Sequence, residues 1–293
     1  MFRSRYQIIK RAIQSDLKAA PIIPLNQRTK ILAIGDTHKG RGKFPPDDFI
    51  ANKWIKTSVL RTHQFKGYEY LDLGDDSDEW ENPWQIIWAN YEHEFRLERS
   101  MYPITTEDEK VKVLGNHDRF VEFNQEALKT MYGGVRLAKA VWIGEAKQIF
   151  AAHGYRGDFW CDHNWKITRQ ITEKLWVPWQ KITHLSGEPE QSPFPSKNEK
   201  RRTRWEQHLV NVCCELGLIG LFGHTHRSYS TDHYWNGGSC LKTKAIQGMR
   251  ITGYKLQRLQ WQQAGYAQAI HETVLDERIL PHSGGSKKKR KKR

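Results

Sequence analysis

The sequence predicts a layered α/β (α+β) protein. Three observations carry this expectation. Five short apolar runs each end in polar residues able to bind a metal, stretches with helical potential lie between the first three runs, and no apolar run approaches the ~20 residues of a membrane span. Short apolar runs read as buried strands, and such sheets collect functional groups just past their strand ends. Hydrophobic residues make up 38% and charged residues 27% of the 293 residues, which excludes a disordered chain and leaves room for one large core, or for one domain with insertions.

The elements follow in order. The opening "MFRSRYQIIKRAIQSDLKAAP" is basic and lacks an uninterrupted apolar stretch, so it reads as a short amphipathic helix rather than a secretory signal. "PIIPLNQ" reads as a linker, which makes 1–29 a helix and linker ahead of a domain spanning 30–280. The five strands expected in that domain are "KILAIGD" (Lys30–Asp36), "YEYLDLGD" (Tyr68–Asp75), "KVKVLGNHD" (Lys110–Asp118), "KQIFAAHG" (Lys147–Gly154) and "LGLIGLFGH" (Leu216–His224). "NPWQIIWANYEHEFRLERS" (Asn82–Ser100) has helical potential. About 155–204 differs in composition: it holds Trp160, Trp165, Trp176 and Trp179, several prolines and the basic cluster "KNEKRRTR", and reads as an insertion or cap beside the active face. A helix from about Ser196 to Glu215 carries that cluster at its start, and short strands or turns follow His226.

The net charge is +14, half of it in the last seven residues, "KKKRKKR". A disordered basic tail over 281–293 attracts polyanions such as nucleic acid, serves as a nuclear import signal, or only solubilises the chain. The four cysteines form no C-x-x-C pair. That argues against structural zinc and for a reduced, cytoplasmic protein, or a nuclear one if the tail is an import signal. Nothing in the sequence fixes the oligomeric state.

The strand ends supply Asp36 and His38, Asp75, Asn116 and His117, His153, and His224 and His226. Carboxylate, imidazole and amide oxygen are ligands for first-row divalent metals. Taken singly, each group fits a structural role as well. All five groups in order, each behind an apolar run, make a pattern. It resembles the calcineurin-like metallophosphoesterase family, whose blocks D-x-H, G-D-x-x-D, G-N-H-D, H-G and G-H-T-H appear here as "DTH", "GDDSD", "GNHD", "HG" and "GHTH" over about 30–240.

The resemblance implies a two-sheet β sandwich flanked by helices, and hydrolysis of phosphomono- or phosphodiesters at a dinuclear centre with a shared hydroxide. It implies that Asp36, His38 and His226 bind one ion, that Asn116, His153 and His224 bind the other, and that Asp75 bridges them. His117 then acts at the leaving oxygen, oriented by Asp78. The donor types suit Mn, Fe, Zn or Co. Arg119 is a candidate for a substrate phosphate and equally for a surface arginine. Asp118 supports its loop, and Asp76 is expected to face solvent. Without metal, the loop at 74–78 is expected to be the loosest part of the site.

The substrate stays open at this level. Protein serine/threonine phosphatases continue the second block with Asp-Arg-Gly, whereas Glu79 and Trp80 follow Asp78 here. A tryptophan in that block is similar to UDP-diacylglucosamine pyrophosphatases, although "HGYRGDFWCD" departs from their pattern. The basic, Trp-rich insertion suits a nucleic acid or nucleotide phosphodiester, and a nuclease is one form of that reading. The same tryptophans would also serve as a small core of the insertion. The alternatives are a nucleotide-sugar or lipid pyrophosphatase and a non-catalytic nucleic-acid-binding protein on the same fold.

Overall fold

The computed structural model describes residues 4–41, 50–176, 178, 199–241, 245–264 and 269–280. From the N-terminus the chain forms α1 (Arg5–Lys18), β1 (Ile22–Ile23), β2 (Lys30–Ile34), α2 (Ile50–Phe65), β3 (Glu69–Asp72), α3 (Trp84–Met101) and β4 (Val111–Val113). It continues through α4 (Gln125–Tyr132), β5 (Arg136–Ala138), β6 (Ala140–Ile143), β7 (Ile149–Ala152), α5 (Trp165–Ile171) and α6 (Glu199–Leu216). The last elements are β8 (Ile219–Phe222), β9 (Tyr229–Ser230), β10 (Tyr234–Asn236), β11 (Ala245–Thr252), β12 (Lys255–Ala264) and β13 (Ala269–Ile279).

Two sheets form the centre. One has the order β1-β6-β7-β8-β10-β9 and the other β13-β12-β11-β2-β3, while β4 and β5 make a short parallel pair. Alternation along β2 shows how the layers arise. Ile31 and Ala33 join a core with Leu71, Val141, Ala151, Leu221 and Met249, residues drawn from both sheets. Their neighbours Leu32 and Ile34 point the other way, into a second core with Ile55 and Val59 of α2 and Ile87 and Phe95 of α3. Period-two patterning with both faces covered makes a strand apolar throughout, which is why "KILAI" lacks a polar side. A third core packs Ile9, Ile13 and Leu17 of α1 and Leu209 and Val212 of α6 against Trp142, Phe150 and Phe222 of the six-stranded sheet. The result is helix, sheet, sheet, helix, the sandwich flanked by helices that the sequence led us to expect.

The structure corrects one element and lengthens others. The supposed linker is part of the sheet: Ile22 and Ile23 pair in parallel with Trp142 and Ile143. The apolar pair is buried enough to add an edge strand, a pairing that two residues cannot announce by periodicity. The short strands expected after His226 include three antiparallel strands of 8, 10 and 11 residues. Of the expected insertion, residues 177 and 179–198 lie outside the described residues, and so does the basic tail at 281–293. The described helix that carries the basic cluster begins at Glu199. Among the described residues no helix is long and apolar enough to cross a membrane.

Candidate metal centre

The five motif loops leave the ends of β2, β3, β4, β7 and β8 and meet. Main-chain hydrogen bonds join the first two loops: Asp36 N donates to Gly74 O at 2.9 Å, His38 N to Asp75 O at 2.8 Å, Lys39 N to Asp76 O at 2.9 Å and Asp78 N to Lys39 O at 2.8 Å. The third loop approaches so closely that a Cβ on Gly115 would stand 2.0 Å from the Asp75 amide nitrogen, so only glycine fits the first position of "GNHD". The backbone at Asp36, His38, Asp75, His224 and His226 has φ between 51° and 69°, and these are five of the seven non-glycine residues with positive φ among the described residues. Asp, Asn and His enter this left-handed region more readily than most residues, yet each still costs on the order of 1 kcal/mol or more.

The side chains converge accordingly. His226 Nε2 lies 3.2 Å from Asp36 Oδ1 and 3.2 Å from His38 Nε2. His153 Nε2 lies 3.0 Å from Asp75 Oδ2, and His38 Nε2 lies 3.7 Å from the same oxygen. Asp75 Oδ2 thus stands between two groups of donors, while its Oδ1 accepts the His117 amide at 2.8 Å. Three triads have ligand atoms mutually within 4.8 Å: Asp36, His38 and His226; His38, Asp75 and His117; and Asp75, His153 and His224. Asn116 Oδ1, His153 Nε2 and His224 Nε2 are buried and make no hydrogen bond. His153 Nε2 is close to Asp75 but lacks hydrogen-bond alignment, while its Nδ1 is fixed by Leu73 O at 2.9 Å. Buried donors and acceptors of this kind fit a divalent cation.

Burial shapes the electrostatics. It pushes the His38 imidazole down to about 4 and that of His224 well below its ordinary value, so both are neutral and able to ligate. Burial also raises the Asp36 carboxyl. For Asp75 burial works in the same direction, but His153 and His117 outweigh it and hold the carboxyl well below the carboxylate range.

His117 stands at the rim. Burial disfavours its charged form, but Asp78 and Asp75 push it up to about 9. Asp78 Oδ1 lies 2.9 Å from His117 Nδ1, and Asp78 Oδ2 lies 3.1 Å from His38 Nδ1. The indole of Trp80 stacks on the His117 ring at 4.2 Å and 24°. Trp80 in turn packs with Tyr155, Cys161 and Trp165, so at least one tryptophan of the insertion belongs to a small core. Arg119 is buried: its Nη1 donates to Asp162 O at 3.0 Å and to Asp162 Oδ1 at 3.3 Å, and its guanidinium lies over the rings of Tyr155 and Trp165.

Asp76 does not face solvent. It is fully buried, with Lys39 Nζ at 2.6 Å from Oδ1 and Lys56 Nζ at 3.2 Å from the same oxygen. Glu98 completes a closed group, 2.6 Å from Lys39 and 2.8 Å from Lys56. Two lysines and two carboxylates balance, which is how charges persist out of water. Asp118 supports its loop, as expected, by accepting from Lys112 Nζ at 2.7 Å.

The sequence model of the calcineurin-like phosphoesterase family matches residues 29–228. No curated protein matches the chain in sequence. Among solved structures, the chain is similar to vacuolar protein sorting 29 from Cryptosporidium parvum, at 17% identity and TM-score 0.37 over 86% of this chain and 98% of that one. It is also similar to the calcineurin-like phosphoesterase YfkN from Bacillus subtilis, at 13% identity and TM-score 0.38 over 86% of this chain and 89% of that one.

Proposed function

The chain belongs to the calcineurin-like phosphoesterase family, and from that premise we propose that it hydrolyses phosphoesters, a phosphodiester above all, at a pair of divalent cations. The supporting observation is the convergence of donors in which Asn116 Oδ1 and His224 Nε2 are buried without a hydrogen bond, beside His153 Nε2 at 3.0 Å from the shared Asp75. Each such orphan costs roughly 1–3 kcal/mol, a cost that a bound cation removes. We assign Asp36, His38 and His226 to one ion and Asn116, His153 and His224 to the other, with Asp75 shared. Imidazole, carboxylate and amide oxygen suit Mn, Fe, Zn or Co. When bound, the ions would supply Lewis acidity at a phosphoryl oxygen and acidify an attacking water.

The chain's own residues do the rest. Asp78 accepts from His117 Nδ1–H, which leaves Nε2–H free to protonate the departing oxygen. Its carboxylate, together with that of Asp75, favours the charged imidazole. The motif loops hold the donors in place, so little rearrangement is needed when a cation arrives.

The test is hydrolysis of bis(p-nitrophenyl) phosphate by the full chain with Mn²⁺, alongside Asp75→Asn and His117→Ala. The wild type is expected to turn over. Asp75→Asn should lose nearly all activity; His117→Ala should lose little on this ester, whose p-nitrophenolate departs without a proton, and on the order of 10²–10⁴-fold in kcat on a dialkyl phosphodiester. Unchanged turnover in Asp75→Asn overturns the assignment. Metal and polyanion binding with no hydrolysis of any ester would favour a non-catalytic binding protein instead.

A further inference from the structure

Trp80 is also a wall of a second recess. This space holds about 210 Å³, below the several hundred Å³ of a site for a whole drug-sized ligand and suited to a single planar ring system. Trp80, Trp84 and Phe120 line it together with the carboxyl side chains Glu79, Glu81 and Glu173 and one cation, Arg169. Glu79 is 2% exposed; its Oε1 accepts from Ser77 Oγ at 3.1 Å, and its Oε2 has no hydrogen-bond partner. Burial, reinforced by the charge of Asp118, pushes this carboxyl up to about 8, so at neutral pH it is largely a neutral acid with a donor and an acceptor side by side. The Arg169 guanidinium lies 4.4 Å from the centre of the Phe120 ring, and its Nε is buried without a partner. Phosphoester chemistry at the motif loops explains neither orphan, and buried unpaired groups call for an explanation.

We propose that this recess is a subsite for the nucleobase carried by the leaving group of a phosphodiester. Trp80 and Trp84 are 3% and 8% exposed and make an apolar wall, while the Arg169 guanidinium, itself over the Phe120 ring, offers a plane on which a base can stack. The carboxylic acid and the guanidinium offer the mixed donors and acceptors that a base edge presents in complement. The location follows from one contact: the same indole that lines the recess stacks on His117 at 4.2 Å. The recess and the histidine at the leaving oxygen thus share a wall, and a base seated there hangs from the departing alcohol. The inference rests on the phosphoesterase reading and names its substrate class, nucleotide or nucleic acid.

The test compares kcat/KM of the full chain with Mn²⁺ on the methyl ester of adenosine 5′-phosphate and the methyl ester of ribose 5-phosphate. The base-bearing ester should be favoured by about tenfold or more, and adenosine rather than methanol should be released. In Trp84→Leu and in Arg169→Gln the preference should fall toward one, the base-free ester serving in each variant as the control for folding. A thymidine hexanucleotide cleaved faster than the mononucleotide ester identifies nucleic acid as the source of the base, and slower cleavage identifies a nucleotide. A wild-type preference near one, or release of methanol, overturns the subsite. If neither methyl ester is hydrolysed while bis(p-nitrophenyl) phosphate is, the subsite is overturned and the phosphoesterase reading stands; if none of the three is hydrolysed, that reading fails and the subsite is judged by tryptophan fluorescence: adenosine should quench the wild type and not Trp84→Leu. Absence of quenching in the wild type overturns it.

Discussion

Asp78 and His38 meet at 3.1 Å, Oδ2 to Nδ1. The other oxygen of Asp78 lies 2.9 Å from His117 Nδ1. The sequence pattern assigned Asp78 to His117 alone. One carboxylate therefore aims two rings, one in the donor cluster and one beside it, and under the proposed function it would couple the affinity for an ion to the orientation of the acid.

Replacing Asp78 by Asn keeps the shape and removes the charge. Mn²⁺ affinity is expected to fall about 10–100-fold because His38 loses its oriented acceptor. Turnover should fall with it. His117→Ala, by contrast, should lower kcat on a dialkyl phosphodiester while leaving Mn²⁺ affinity near that of the wild type. Calorimetric titration with Mn²⁺ beside steady-state kinetics separates the two. Unaltered affinity in Asp78→Asn would restrict this residue to His117.

Asp76→Ala removes one of the two carboxylates, Asp76 and Glu98, that face the buried Lys39 and Lys56. Breaking a buried ion pair from one side costs roughly 3–5 kcal/mol, and urea denaturation should show a loss of that order. The same ionic group and the four main-chain bonds between the first two loops oppose the expectation that this loop is loosest without metal. In chelator-treated protein the amides of His38, Lys39 and Asp78 should stay protected from hydrogen exchange. Rapid exchange at all three would restore the original expectation.

Glu79 gives a pH signature. Its folded value is about 8 and its ordinary value is 4.5, so the folded chain keeps a proton that the unfolded chain releases. That contribution to stability is fully present below about pH 4.5 and is lost as pH rises through about 8, at up to ~1.4 kcal/mol per pH unit. Glu79→Gln cannot ionise and lacks the slope. Denaturation at pH 5 and pH 8 should show the wild type losing on the order of a few kcal/mol more than the variant. Parallel losses would mean that Glu79 is charged in the folded state.

The strands were legible because each apolar run stops at its polar motif, and burial on both faces removes any polar alternation that would blur the run. The convergence of Asp36, Asp75 and His153 was legible only through the ordered motifs, since their neighbours in sequence are ordinary. The partners of Asp76 were not legible: Lys56 and Glu98 come from two helices far along the chain, and pairing across that distance leaves no local mark. One signal was available. Lys112 sits between Val111 and Val113 in a strand buried at all three positions, and a lysine in such a run implies a buried carboxylate. The stacking of Trp80 on His117 arises from tertiary packing, so the tryptophan was visible in the sequence while its neighbour was not.

The left-handed backbone at Asp36, His38, Asp75, His224 and His226 bears on transplantation. Copying the donor side chains onto another sheet would reproduce the composition of this centre without its aim, because ordinary strand-to-loop geometry sends those Cβ atoms elsewhere. A faithful graft must carry the strained loops and Gly115, whose bare α-carbon lets the second and third loops touch. The heritable unit of this centre is a set of backbone turns, and the histidines and aspartates are what those turns display.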